Sequence, residues 1–141
     1  MPALDTADLA TLLDSVRTIV VVGASADPRT TSHGITGYLV RAGFEVYPVN
    51  PNHEAVQGRP CVASVEDIPY AVALDLVCIF RQPRITAEMV RTVLRRIETT
   101  GEMPVVWAQI GVHSAEAERL AADAGLPYVR NRCIMVEHAR G

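Results

Sequence analysis

The stretch Thr18-Ile19-Val20-Val21-Val22-Gly23 decides the fold of this chain. Its β-branched residues run without polar alternation, which is typical of a strand covered on both faces and therefore of a parallel sheet. Further strands are predicted at 44–50, 74–80, 104–108 and 126–129, with helical patterns between most of them. This alternation predicts a Rossmann-like α/β fold: a doubly wound, mostly parallel sheet in three layers.

The remaining elements follow from spacing and from residues that begin or end helices. Leucines at helical spacing predict a short N-terminal helix, and further helices are predicted at 34–41, from Pro83 to about 97, and at 114–124. Residues 59–62 are predicted as a short edge strand, followed by a helical turn at 64–68. We expect Glu137 and Arg140 to form a surface ion pair that holds the tail.

The bulk properties exclude several classes of protein. A length of 141 residues suits one domain, and the net charge of −3 gives no field that would attract nucleic acid. The apolar runs are too short to span a membrane, and no signal-peptide pattern precedes them. The three cysteines form no CxxC pair and predict neither disulfides nor a zinc site. We expect a single cytoplasmic domain over residues 1–141, without a metal, nucleic acid or membrane partner.

The loop after the first strand is a candidate diphosphate cradle. Gly23 and Ala24 allow close backbone approach, Ser25 and Ser32 offer hydroxyl groups, and Arg29 offers a cation suited to phosphate. The helix that follows directs its N–H groups toward this loop. Neither GxGxxG nor GxxxxGK[ST] is present, so a plain strand-to-helix turn is the alternative interpretation.

The end of the second strand distinguishes between nucleotides. Domains that bind NAD carry an acidic residue there for the ribose hydroxyls, whereas this chain has Asn50, Pro51 and a nearby His53. A neutral amide would not repel a phosphorylated ribose, which favours coenzyme A or NADP over NAD. The alternative is a turn with no binding role, since the same residues favour turns.

Two more strand ends complete the predicted rim. Phe80 could flank an adenine ring or a pantetheine arm, and Arg81 could bind a phosphate. At the end of the next strand, Gln109 is followed by Gly111, which again permits close approach. Each residue has an ordinary structural interpretation, and it is their convergence at consecutive strand-to-helix junctions that favours a ligand site.

Taken together, these residues resemble the small stand-alone CoA-binding proteins, which look like the N-terminal domain of the succinyl-CoA synthetase α subunit. The similarity runs from about Thr18 to the C-terminus. Its motifs are Val21-Val22-Gly23-Ala24-Ser25, Tyr47-Pro48-Val49-Asn50-Pro51, Phe80-Arg81, Trp107-Ala108-Gln109-Ile110-Gly111, and Asn131-Arg132-Cys133 with Glu137. The resemblance implies coenzyme A at the first four of these junctions. The chain departs from the family pattern at Cys78 and Asn131, where acidic residues are common.

No residue is predicted to be catalytic, since the four histidines form no HExxH or metal-spaced pair. Cys133, between Arg130 and Arg132, could be a reactive thiol that forms a mixed disulfide with coenzyme A, or simply a buried apolar residue. The favoured function is a non-catalytic carrier, sensor or partner module that binds coenzyme A, with a protein partner or a homodimer as candidates. The alternative is an NADP-dependent oxidoreductase or an acyl-CoA processing enzyme that needs a partner.

Overall fold

The computed structural model describes the backbone of residues 6–141 and the side chains from residue 8 onward. Residues 1–5, on which the prediction about a signal peptide depends, lie outside the described part. The elements, in chain order, are α1 (Thr6–Ser15), β1 (Thr18–Val22), α2 (Thr31–Arg41), β2 (Glu45–Val49), β3 (Ala55–Val56), β4 (Arg59–Pro60), a 3₁₀ turn (Val65–Asp67), β5 (Leu76–Ile79), α3 (Pro83–Thr100), β6 (Val105–Ala108), α4 (Ala115–Asp123), β7 (Tyr128–Arg130) and α5 (Ile134–Arg140).

The main sheet has the order β2-β1-β5-β6-β7, and all of its strands are parallel. From β1 the chain moves outward to β2 and then crosses to β5 on the other side of β1. The direction of winding therefore reverses between β1 and β5. In open α/β sheets such a reversal leaves a crevice outside the carboxyl ends of the two strands.

Two apolar clusters lie on opposite faces of the sheet, which confirms the predicted three layers. One cluster joins the sheet to α1, α2 and α5, and the other joins it to α3, α4 and the 3₁₀ turn. All five residues of β1 are buried, as its unbroken apolar pattern predicts. Within the described chain, no helix combines the length and the apolar character that crossing a membrane requires.

The predicted edge strand at 59–62 differs from the structure. β3 and β4 form a two-stranded antiparallel hairpin, and only Val62 reaches the main sheet, through a single parallel bridge to Val49. Pro60 has no N–H to donate to a neighbouring strand, which explains why pairing does not extend along the whole segment. The third strand of a Rossmann sheet is thus reduced to one residue beside β2.

Helix α5 was not predicted from the sequence. The indole Nε1 of Trp107 donates to the carbonyl of Arg132 at 2.8 Å, immediately before this helix. Glu137 is only 4% exposed, and its carboxylate forms ion pairs with Arg132 at 3.5 Å and with Arg140 at 3.3 Å. The predicted ion pair between Glu137 and Arg140 is present, but its placement at the surface was wrong for Glu137, which is buried. A seven-residue helix carries too few turns for its periodicity to be recognised in the sequence.

Candidate functional site

The crevice is tightest where Gly23 meets Arg81. Gly23 has a φ of +86°, and a Cβ placed on it would lie 2.9 Å from Cδ of Arg81 and 3.3 Å from the carbonyl carbon of Phe80. Glycine therefore provides both the left-handed turn and the room for the arginine stem. Among the described residues, the guanidinium of Arg81 has no carboxylate or hydrogen-bond partner.

Arg29 is differently placed. Its Nε and Nη2 donate to the carboxylate of Asp27, and the closest pair of atoms is 2.9 Å apart. These bonds raise the pKa of Arg29, and they lower the pKa of Asp27. A phosphate at this loop would have to compete with Asp27, so the predicted role of Arg29 stays a prediction. The Asp27-x-Arg29 spacing was the sequence signal for this pairing.

Helix α2 begins at Thr31, three residues before its predicted start. Thr30 caps it, with its Oγ1 accepting from the N–H of His33 at 3.3 Å. Ser32, which was predicted in the loop, is in the first helical turn and is 7% exposed. Within the described chain, the N–H groups of Thr31 and Ser32 have no backbone acceptor. These groups at the positive end of the helix dipole are suited to an anion.

The amide of Asn50 links the loops that follow β1 and β2. Its Nδ2 donates to the carbonyl of Ala24 at 2.9 Å, and its Oδ1 accepts from the N–H of Asn52 at 2.9 Å. Pro51 is exposed at this turn, and His53 is partly exposed. The four residues directly after β2, from Asn50 to His53, are thus two amides, a proline and a histidine, and none of these four is a carboxylate that would oppose a phosphorylated ribose.

A cleft of about 340 Å³ lies at the end of β5, where α3 begins. It is lined by Phe80, Arg81, Gln82, Arg84 and Ile85. Pro83 is the first residue of α3, as predicted, and Gln82 precedes it without a side-chain capping bond. Arg84 donates through Nε to Oε1 of Gln82 at 2.9 Å, which leaves its two terminal nitrogens free of carboxylates within the described residues. Sequence reasoning did not identify Arg84, since one more arginine at a helix start gives no distinctive signal.

The residues after β6 are divided between the interior and the rim. Gln109 is 4% exposed, and its Oε1 accepts from the N–H of Ile134 at 2.8 Å and from the thiol of Cys78 at 3.6 Å. Gly111 is exposed, has a φ of +84° and donates its N–H to Oδ1 of Asn131 at 3.3 Å. The side chain of Gln109 thus holds α5 in place, and Gly111 belongs to the outer surface of the rim.

Three of the histidines are engaged within the protein. Nδ1 of His33 lies 2.9 Å from the carbonyl of Ser25, and the hydroxyls of Tyr128 and Tyr38 lie 3.2 Å and 2.7 Å from Nδ1 of His113 and His138. In the described part of the chain, no group of three or more His, Cys, Asp or Glu side chains could hold a metal ion.

Cys133 is partly buried at the start of α5 and packs against the apolar core. The neighbouring Arg130 and Arg132 pair with Glu118 and Glu137, each at 3.5 Å. Those pairings reduce the positive field that a thiolate at this position would experience.

Comparisons with known proteins show which family and which solved structures the chain is similar to. A family model for the CoA binding domain matches residues 17–139. The uncharacterised protein YneT of Bacillus subtilis (strain 168) is 31% identical over 137 residues, which cover 94% of this chain and 93% of YneT. A hypothetical protein from Pyrococcus horikoshii OT3 has a solved structure with a TM-score of 0.88 and 39% identity, covering 97% of this chain and 92% of that one.

A further relative is much longer than this chain. The α subunit of the ADP-forming acetate–CoA ligase II from Pyrococcus furiosus is 39% identical over 64 residues. The matched segment covers 45% of this chain but only 14% of that subunit.

Proposed function

This chain belongs to the CoA binding domain family, and on that premise we propose that it binds coenzyme A or an acyl-CoA across the carboxyl ends of β1, β2 and β5. The observation that carries the proposal is the contact between Gly23 and Arg81 at the point where the winding of the sheet reverses. There the stem of Arg81 lies against a left-handed glycine, and the guanidinium that it carries has no partner among the described residues. The N–H groups at the start of α2, which have no backbone acceptor within the described chain, follow a few residues later.

In this proposal the diphosphate lies at the loop between β1 and α2. The N–H groups of Thr31 and Ser32 donate to its oxygens, Gly23 allows the backbone to approach, and Arg81 supplies the charge. The hydroxyl of Ser25 accepts from the N–H of Asp27 at 3.0 Å, which helps to shape the loop and leaves its O–H to donate to the diphosphate.

The adenosine then lies at the end of β2, near Asn50 and Pro51, as in Rossmann domains generally. Because the amide of Asn50 is bound to Ala24 and Asn52, it shapes this end of the crevice and keeps it neutral. A ribose that carries a phosphate is therefore tolerated, which is the reason to prefer coenzyme A or NADP to NAD.

We further propose that residues 1–141 act as one non-catalytic module in the cytoplasm, as a carrier, sensor or partner of a separate protein. The match to a short part of the acetate–CoA ligase subunit supports a partner that supplies the chemistry.

The test is a thermal-shift and calorimetric titration with coenzyme A, acetyl-CoA, NADP, NAD and ATP. Ligand at a hundred times its Kd adds about 2.7 kcal/mol to the free energy of unfolding, which raises Tm by several degrees. We expect this shift with coenzyme A, and a clear loss of affinity in Arg81→Gln. Arg91→Gln is the matched control, because Arg91 is an exposed residue of α3 that pairs with Glu88 and Glu116.

A shift with NADP alone would replace coenzyme A by NADP and favour the oxidoreductase alternative. If none of the five compounds raises Tm or gives binding heat, the proposal is wrong.

A further inference from the structure

The arginines of this protein differ in whether they pair with a carboxylate, and this difference distinguishes one cleft from the rest of the carboxyl edge of the sheet. The sequence contains no lysine, so every permanent side-chain cation is an arginine. Around the carboxyl edge of the sheet, three arginines are paired with carboxylates: Arg29 with Asp27, Arg130 with Glu118, and Arg132 with Glu137. A paired arginine has little net charge to offer a ligand.

Arg81 and Arg84 are the exceptions at this edge within the described chain. Neither has a carboxylate within ion-pair distance there, and both line the cleft of about 340 Å³ at the start of α3. Among the described residues, no acidic side chain lines this cleft, whose other walls are Phe80, Gln82 and Ile85. Two positive charges without a described carboxylate partner in one cleft favour an anionic ligand.

The neighbouring groups hold both arginines toward that cleft. The stem of Arg81 rests on Gly23, and Nε of Arg84 is fixed by Oε1 of Gln82 at 2.9 Å. That bond uses only one of the five donors of the Arg84 guanidinium and leaves the terminal nitrogens for a second acceptor. Arginine forks match phosphate oxygens in geometry as well as in charge.

We infer that Arg84 and Arg81 form a two-arginine clamp on the diphosphate of the ligand, with Arg84 as an affinity-determining residue of the site. The inference rests on the proposed function and specifies its ligand class. The ligand is a nucleotide with a diphosphate bridge, and the two arginines recognise the negative charge of that bridge. In the proposed binding mode the ribose phosphate lies at the end of β2, which is separated from this cleft at the end of β5 by β1, so it is not the partner of Arg84.

The experiment compares coenzyme A, dephospho-CoA and pantetheine by calorimetry on wild type, Arg84→Gln, Arg84→Lys and Arg91→Gln. Dephospho-CoA keeps the diphosphate but lacks the ribose phosphate, and pantetheine has neither. We expect Arg84→Gln to weaken coenzyme A and dephospho-CoA by the same factor, about tenfold, and to leave pantetheine unchanged. Arg84→Lys should recover part of the loss, and Arg91→Gln, which makes the same change in net charge on the same helix, should bind as wild type does.

Each contrary result has its own meaning. If Arg84→Gln weakens coenzyme A but not dephospho-CoA, Arg84 contacts the ribose phosphate and the clamp is wrong. If Arg84→Gln and Arg91→Gln bind alike, Arg84 does not contact the ligand, and the clamp is again wrong although the proposed function stands. If the wild type binds neither nucleotide, the proposed function fails and the clamp falls with it.

Discussion

At the scale of single residues, Gly23 has two separate reasons to be glycine. Its φ of +86° disfavours any residue with a Cβ, and the stem of Arg81 occupies the place that a Cβ would take. Gly43 has a similar φ of +97°, but no atom of the described residues outside its own chain neighbours lies within 4 Å of its Cβ position. An alanine at Gly43 therefore adds only backbone strain, whereas an alanine at Gly23 adds the same strain and also displaces the stem of Arg81.

We therefore expect Gly23→Ala to lower the free energy of unfolding more than Gly43→Ala does, with a difference of about 1 kcal/mol or more. Backbone strain of about 1–2 kcal/mol is common to both variants. Gly23→Ala should also weaken coenzyme A, because it displaces Arg81, whereas Gly43→Ala should not. Urea unfolding and calorimetry measure the two effects, and equal behaviour of the variants would show that Arg81 moves aside freely.

The sequence identified Gly23 and Arg81 separately, but not their contact. Strand ends and glycines are visible in the order of residues, since a strand pattern stops where the turn begins. Which arginine is free depends on distances across the fold: Arg29 is taken up by Asp27, and Arg81 meets a loop 58 residues away along the chain. Which arginines pair with a carboxylate therefore depends on where the folded chain places their side chains, and the order of residues does not by itself reveal it.

At the scale of elements, α5 is held by a few polar contacts made before and within its first turn. Oε1 of Gln109 accepts from the N–H of Ile134, and the carbonyl of Arg132 accepts from Trp107. The buried carboxylate of Glu137 then forms ion pairs with Arg132 and Arg140. A short helix with little intrinsic stability depends on such tertiary contacts.

Gln109→Leu is expected to cost about 1–3 kcal/mol of folding free energy, because the buried N–H of Ile134 loses its acceptor. Gln82→Leu, at an exposed position without a capping bond, should change stability by no more than about 0.5 kcal/mol. Urea unfolding compares the two. Equal stability of both variants would mean that another acceptor satisfies Ile134, and a raised Kd for coenzyme A in Gln109→Leu would support the predicted ligand contact of Gln109.

Element prediction worked best where the pattern was long. The alternation of buried strands with helices was recognised, and the start of α3 at Pro83 agrees with the structure. It was right only in part for 59–62, where β4 covers Arg59–Pro60 and Val62 alone reaches the main sheet, and it missed α5. Both involve short segments whose conformation is fixed by neighbours: Val62 by the edge of β2, and α5 by Gln109 and Trp107.

At the scale of the whole molecule, several groups hold their protons more tightly when folded. Burial raises the pKa of the Cys78 thiol well above its ordinary value of 9.0, with a smaller contribution from Cys133, and burial also raises the pKa of Cys61 and of Tyr128. The unfolded chain therefore releases these protons at lower pH than the native protein does. The stability that they contribute is complete below the unfolded pKa and is lost as pH rises.

We expect the free energy of unfolding to fall as pH increases above about 9, at a rate approaching about 1.4 kcal/mol per pH unit for Cys78. The measurement is urea unfolding between pH 7.5 and 10.5 in the presence of a reductant. Cys78→Ala should give a flatter dependence, whereas the partly exposed Cys61 should matter less. A wild-type curve that is flat over this range would show that the thiol of Cys78 reaches water without unfolding.

The sequence by itself determined the layered α/β fold, the positions of the buried strands and the strand ends where a ligand site would form. Apolar periodicity and turn residues are local, and they act over the few residues that a strand or helix contains. Only the tertiary structure decided which arginines remain unpaired, that Gln109 and Glu137 are buried, that α5 exists, and that Gly23 makes room for Arg81. Each of these depends on groups far apart in the chain that come together only when the sheet is wound.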